Sequence, residues 1–510
     1  MFGLRAIREL QTLPRDNGFF RWPKMARLRA APFAYNSILT FTFFNRWSSV
    51  YISMADLKIT KGLDIPLKGN PVGELRELEA SGRPVVPDLI ALDLSPFDNK
   101  RFRLLVKPGD RVKRGQPLVY DKGLEQRVFV SPAAGVVQEI VRGLKRRLLY
   151  IPIQVDAEEE VVTFPPLDPA TASREQLLER IAEGGLLPFI RQRPFDLLAD
   201  PRKKPRDIFV QAVNSGPFAP TPQMQVEGHH DDLKWGLEAL RHLTSGRVHV
   251  VMREGLQLHD VDGISFHTIR GPHPSGLAST HISLLAPVTK VDESVWTLSL
   301  SDVIAIGHLL RTGRFLAERV IAIAGEGFVE GRTGFFHGRL GMPIASLTEG
   351  RLPKGDVRFI SGDPLTGHQV QMDGFLGFND SILSVIPERK GREPLHFFRL
   401  GLDKFSASKA YLSGWFKKKS YSFDTNLHGE TRSFIIGSPY EKVVPLPINP
   451  MLLVKAILAE DYEGAEKLGL LEVAPEDFSL PAFVDPSKIE MMGIVKRGLN
   501  IYAAEVTDSL

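Results

Sequence analysis

The sequence predicts a multidomain protein of mixed α/β and β class. It opens with β structure, continues into an α/β layer, returns to a small β-rich insertion and closes on helices. Three observations carry this. At 510 residues the chain exceeds what one hydrophobic core supports, and roughly three domains are expected. From Leu57, short apolar runs are broken by Gly and Pro, the punctuation of β structure. After residue 170, strand-like and helical runs alternate, the pattern of a parallel sheet covered by helices.

Composition narrows the chemistry. Hydrophobic residues make up 43% and charged residues 24%, a globular balance. The absence of cysteine excludes disulfides, thiolate metal sites, cysteine nucleophiles and cysteine-ligated iron–sulfur clusters. The net charge of +4 is unevenly placed: residues 1–53 set eight Lys/Arg against Glu9 and Asp16, so they carry +6 and the remainder −2. A nearly neutral body has no electrostatic footprint for nucleic acid. Residues 1–53 show neither a helical period nor a clean secretory signal, and are expected to be a non-core extension with translation starting at Met54. No stretch approaches the roughly 20 apolar residues of a membrane-spanning helix.

The first β-rich part is clearest over Val106–Gly143. Gly109-Asp110 marks a tight turn, and Gly115 precedes Pro117-Leu118. After a polar hairpin, Phe129-Val130 leads to Ser131-Pro132 and Gly135-Val136-Val137. Glycine serves positive φ and proline stiffens the adjoining turn. This cadence resembles the barrel-sandwich domain of lipoyl and biotinyl carriers, which hold their cofactor on a hairpin lysine. Lys122 lies near that hairpin, but Asp121-Lys122-Gly123 is expected to open a longer loop and to leave an ordinary surface lysine. An acidic, proline-containing link follows over Asp156–Pro169. Ser173 and Gln176 then form a capping box for a helix that Gly184-Gly185 stops. Asp207–Val213, Arg247–Met252 and Arg319–Ala324 read as buried strands, and Asp232–Leu243 and Ser301–Arg311 as amphipathic helices. Helical spacing returns in Met451–Glu460, Tyr462–Leu468 and Ile489–Ala504.

The usual chemical motifs are missing. No G-x-G-x-x-G follows a strand, and neither a Walker A sequence nor H-E-x-x-H occurs. His229-His230 stands beside Asp231-Asp232, but no third ligand lies at helical spacing, so no metal site is predicted. The polar run Gly271–His281 offers His273, Ser275 and His281 as candidates for contact with a ligand or partner; a purely structural fastening of the loop is an equal alternative. Ser361–Gly367 reads first as a tight turn and second as an anion nest. The basic run Phe416–Lys419 reads as a solvated face that could meet an acidic partner.

A series of segments, each weak alone, gains meaning from its order. It includes Ile59–Ile65, Ser131–Gly135, Gln192–Asp196, Gly271–Gly276 with Thr280-His281, and Asp302–His308. It continues with Ile360–Gly367, Tyr411–Gly414, Asp424–Glu430 and Leu471–Asp477. Together these resemble the NqrA family, the large peripheral component of sodium-translocating NADH:quinone reductases, in its chlamydial branch. The resemblance implies a barrel-sandwich domain over 54–155, a Rossmann-like α/β domain over 170–325 and a β-grasp-like (SLBB-like) domain over 326–390. The remainder of the α/β domain and a helical C-terminal region would fill 391–510. It also implies a peripheral location on the cytoplasmic side of the bacterial inner membrane, with the membrane subunits as partners. The whole complex would use NADH, FAD, FMN, iron–sulfur centres and ubiquinone, and His273, Ser275 and His281 would be quinone or partner contacts. Related flavin subunits place a glycine loop after the first helix and cysteines near the C-terminus. Here those places read Leu187–Phe195, and Leu480-Pro481 with Val484-Asp485-Pro486, so this chain is expected to bind no cofactor. The alternatives are a flavin-binding subunit of an Rnf-like complex and a lipoyl/biotinyl-type carrier.

Overall fold

The computed structural model describes residues 54–509 except positions 81–82, 85–86, 257, 259–260, 390, 392–397, 399, 417–419 and 428. The expected extension 1–53 and the lysines of the basic run lie outside the described residues.

Strands Leu89–Asp93, Arg111–Val112, Gly135–Val137, Val141–Arg142 and Leu148–Val155 form a five-stranded sheet. Phe102–Leu104, Pro117–Asp121 and Leu124–Val130 form a three-stranded one. Leu92, Val112, Leu118, Phe129, Ile151 and Ile153 fill the core of this barrel-sandwich. Its closeness depends on Gly135, at φ 156°, where a Cβ would lie 1.9 Å from the Gln154 carbonyl oxygen of the paired strand. The hairpin at Lys122 differs from expectation. Asp121 and Leu124 face one another across a two-residue turn, Lys122-Gly123, and no longer loop opens. The Asp121 side chain causes this, accepting the Gly123 N–H at 2.9 Å and closing the chain on itself. The buried Arg127 guanidinium then donates to Asp121 at 2.7 Å and to the Ala199 carbonyl at 2.7 Å, docking the hairpin base onto the next module.

The Ser173–Gln176 capping box forms as expected and starts the helix Arg174–Glu183. A seven-stranded sheet follows, in the spatial order Asp56–Lys58, Ile264–Arg270, Val248–Met252, Asp207–Ala212, Val295–Ser299, Arg191–Arg193, Leu197–Leu198. The first five strands run parallel, and the last two are antiparallel to their neighbours. Helices His230–Leu243 and Leu300–Thr312 pack on it, burying Leu233, Leu237, Leu240, Val303, Ile306 and Leu310.

The strand Glu318–Ala324 was expected in this layer. It belongs instead to a six-stranded sheet ordered Leu75–Glu77, Gly334–Arg339, Glu318–Ala324, Ile382–Pro387, Val357–Ser361, His368–Val370. A continuous apolar run says that a strand is buried on both faces, not which sheet buries it. Ile321, Ile323, Phe336, Leu347, Leu383 and Val385 form that sheet's core. At the C-terminal end, helices Pro450–Leu458, Tyr462–Lys467 and Met491–Ser509 gather around Leu453, Leu470, Phe478, Val495 and Leu499. Asn449 and Asp461 cap the first two through their side-chain oxygens.

The modules meet at an aromatic junction. The Phe378 ring lies 5.0 Å from Phe97, 5.7 Å from Phe129 and 4.7 Å from Phe189, centroid to centroid. Phe129 comes from the barrel-sandwich, Phe189 from the turn after the first helix, and Phe378 from the segment before strand Ile382–Pro387.

Candidate functional site

Within the parallel strands, chain connections leave Asp207–Ala212 in one direction through Val248–Met252 and Ile264–Arg270. They then cross over to Val295–Ser299 on its other side. The order reverses between Asp207–Ala212 and Val295–Ser299, and such a reversal leaves a crevice outside the strands' carboxyl ends, where ligands gather.

In this protein its own chain lies across that place. Strand Asp207–Ala212 runs out into Val213-Asn214-Ser215. The Ser215 Oγ lies 2.9 Å from His273 Nδ1 and accepts the Gly276 N–H at 2.7 Å. Gln211 donates to the Gly276 carbonyl at 3.0 Å, and a Cβ on Gly276 would stand 2.8 Å from the Ser215 nitrogen. The His273 N–H donates to Asp64 at 2.8 Å, and Arg253 donates to both the Gly271 carbonyl and Ser275 Oγ at 3.0 Å. The fit is close enough that the loop is part of the core's edge.

His273, Ser275 and His281 are therefore brought together, but inward. They are 3%, 0% and 0% exposed. His281 does not lie in a loop: a helix starts at Ala278 and runs to Leu285, so the density of Gly, Pro, Ser and Thr misreads its second half as irregular. The His281 Nε2–H donates to the Ser275 carbonyl at 2.8 Å. Burial pushes the His281 ring down to about 4, and it also depresses His273, against the upward pull of Asp363 and Asp64. Both rings are neutral at physiological pH. Ser361–Gly367 is a turn, as expected: Asp363 accepts the Leu365 N–H at 2.7 Å, and its carbonyl accepts the Gly367 N–H at 2.8 Å. The sequence reading missed Ser215, Asp64 and Arg253, which hold the loop. Only Asn214-Ser215-Gly216, a turn signal at the end of a buried strand, could have pointed to one of them.

Two other expected places are also packed. Leu187, Pro188, Phe189 and Ile190 are all buried, the first three in a single 3₁₀ turn. Near the C-terminus Asp485 is fully buried and accepts three hydrogen bonds, from the Tyr440 hydroxyl at 2.7 Å, the Ser487 N–H at 2.8 Å and the Ile489 N–H at 2.7 Å.

The pair His229-His230 does not act as a pair. Asp232 is buried and joins His229 to His308 on the helix Leu300–Thr312, a residue 76 positions further along. The third donor expected to be missing is thus present, from an element that helical spacing within one segment does not reveal.

Three family descriptions match the chain in order. They are the NqrA N-terminal barrel-sandwich hybrid domain over residues 57–156, the NqrA second alpha/beta domain over 172–315 and the NQRA C-terminal domain over 320–372. Fold and matches together define a barrel-sandwich protein joined to mixed α/β sheets. The Na(+)-translocating NADH-quinone reductase NqrA subunit of Chlamydia caviae is 38% identical over 465 residues, covering 88% of this chain and 97% of that one. The protein of the same name from Cellvibrio japonicus is 36% identical over 450 residues, covering 87% and 98%. This chain belongs to the NqrA family of Na(+)-translocating NADH-quinone reductases. Among solved structures, an NAD+-reducing [NiFe]-hydrogenase in the H2-reduced state aligns over 45% of this chain and 52% of its own at 12% identity. Its TM-score is 0.30, too low to support any inference.

Proposed function

We propose that the chain is a peripheral subunit of a sodium-translocating NADH:quinone reductase, a complex that passes electrons from NADH to ubiquinone and exports Na+. In this reading it sits on the cytoplasmic face of the membrane subunits, and the flavins and iron–sulfur centres belong to its partners. Family membership supports the assignment. Among the described residues no helix is long and apolar enough to cross a membrane, which fits attachment through a surface. The seven-stranded sheet, with its 3-2-1-4 run of parallel strands, serves as a Rossmann-like domain over 170–325. The six-stranded sheet serves as a β-grasp-like domain over 326–390, and the helices after Pro450 form a C-terminal domain.

The observation that carries the docking role is the segment 400–436. Leu400, Trp415, Phe416, Leu427, Ile435 and Ile436 are all exposed, Trp415 at 76% and Ile435 at 77%. Aromatic and β-branched side chains held in water in one stretch of chain mark an interaction surface. Filling of the glycine-loop position by Leu187–Ile190, and saturation of Asp485 by three donors, support a chain without a flavin or cluster of its own. A direct hydrogen bond from a quinone carbonyl to His273 or His281 requires the loop to open. We therefore assign His273, Ser275 and His281 to positioning the Gly271–His281 segment beneath a partner or quinone contact.

The test is assembly. In the complete complex, Trp415→Ser combined with Ile435→Ser is expected to reduce co-purification with the membrane subunits at least tenfold. The isolated variant should keep its melting temperature within about 2 °C, as surface changes usually do. Undiminished assembly of the double variant would remove the segment from the interface.

A further inference from the structure

We propose that His229, Asp232 and His308 form a binding site for one divalent transition-metal ion of the zinc class, with its fourth coordination position open to solvent.

The donors converge from two helices and the turn before one of them. His229 precedes the helix His230–Leu243, Asp232 lies in that helix's first turn, and His308 faces them from Leu300–Thr312. One oxygen of Asp232, Oδ2, lies 2.9 Å from His229 Nδ1 and 3.1 Å from His308 Nδ1. All three donor atoms fall within 4.8 Å of one another, the one such group found among the described residues. Zinc holds histidine nitrogens and carboxylate oxygens at about 2.0–2.2 Å, so donors at tetrahedral angles stand roughly 3.3 Å apart. The present separations need to open by only a few tenths of an ångström. The two imidazole planes are inclined at 76°, so neither ring stacks over the other and both Nδ1 atoms reach the shared oxygen.

Three further features separate this group from a chance surface cluster. First, the carboxylate is oriented from behind: Arg311 Nε donates to Oδ1 at 2.8 Å, which leaves Oδ2 to the imidazoles, an outer-shell arrangement that fixes a ligand's direction. Second, the scaffold is rigid. A Cβ on Gly307 would lie 1.7 Å from the Asp232 carbonyl oxygen, and one on Gly236 would lie 2.2 Å from that of Val303. The helices touch backbone to backbone at the residue beside His308, so the donors are set before any ion arrives. Third, access is graded. Asp232 is 2% exposed, His308 20% and His229 33%, giving a buried anionic anchor and a solvent-facing mouth. When an ion binds, each imidazole keeps its single proton on Nε2 and gives Nδ1 to the metal. Two imidazoles and one carboxylate, without thiolate, suit Zn2+, Co2+ or Ni2+ over Mg2+ or Ca2+. The ion would clamp the two helices at their closest approach.

The experiment uses the full chain, stripped with a chelator and then titrated with Zn2+ or Co2+ alone. Calorimetry should give one equivalent of Zn2+ per chain, and Co2+ should produce a visible d–d absorption band. Zn2+ should also raise the melting temperature. His229→Ala, at the most exposed donor and outside the helix, and His308→Ala should each weaken binding at least tenfold and abolish the rise. His230→Ala should leave all three readouts in place. The proposal fails if the wild-type chain takes up no stoichiometric Zn2+. It fails equally if His230→Ala abolishes binding while His229→Ala and His308→Ala retain it, since the ion would then sit on exposed surface histidines.

Discussion

His281 is held with Nε2 on the Ser275 carbonyl and no water-exposed edge, so protonating its ring places a charge where it cannot be solvated. In an unfolded chain the ring titrates near 6.5, and in the fold near 4. Between those values the unfolded state binds more protons, so the stabilisation is complete above about pH 6.5 and is lost as pH falls through about 4. The loss amounts to roughly 3 kcal/mol for this ring. Thermal melting followed from pH 7 to pH 4 should therefore show a falling melting temperature, and His281→Asn should flatten that slope while starting lower. An unchanged slope in the variant would mean that the ring is not a buried neutral base. From sequence His281 was legible only as a polar residue in a turn-rich run. Its burial depends on Ser275 and on the packing of Phe209 and Ala278 with Ile282, which no local pattern encodes.

At the scale of elements, the helices His230–Leu243 and Leu300–Thr312 owe their contact to two glycines. Gly307→Ala pushes a methyl group into the Asp232 carbonyl, and neither backbone can yield without tilting a helix. It is expected to cost about 3 kcal/mol, read as a lower denaturant midpoint, whereas a glycine on an open face would gain from the same change. Both helices were readable in the sequence because their apolar residues recur at 3.6-residue spacing and, for the second, Ser299 and Asp302 cap its start. The Ser173 capping box and the strands Asp207–Ala212 and Val248–Met252 were readable for the same local reasons. Local reasons fail where partnership is decided at a distance. Glu318–Ala324 was a strand by its sequence but changed sheet. The Lys122 hairpin was tightened by a single carboxylate. Asp232 found His308 on another helix. The candidate loop was visible as a loop, but its inward orientation was not.

At the scale of the whole molecule, no sheet is built from one continuous stretch except those of the barrel-sandwich. Asp56–Lys58 closes the edge of the seven-stranded sheet, and Leu75–Glu77 closes the edge of the six-stranded one, before the barrel-sandwich begins at Leu89. A fragment spanning 54–156 would carry two strands with no partners, and unpaired strand edges template association. It should aggregate or elute as oligomers on size exclusion, while a fragment spanning 87–156 should elute as a monomer. Equal behaviour of the two would show that the early strands are harmless when unpaired. The same arrangement bears on synthesis. Thr268 donates to Asp56 across 212 residues, and at ribosomal rates of about 5–20 residues per second that partner emerges roughly 10–40 s later. During that interval Asp56–Lys58 is a strand in waiting, available to whatever holds nascent chains.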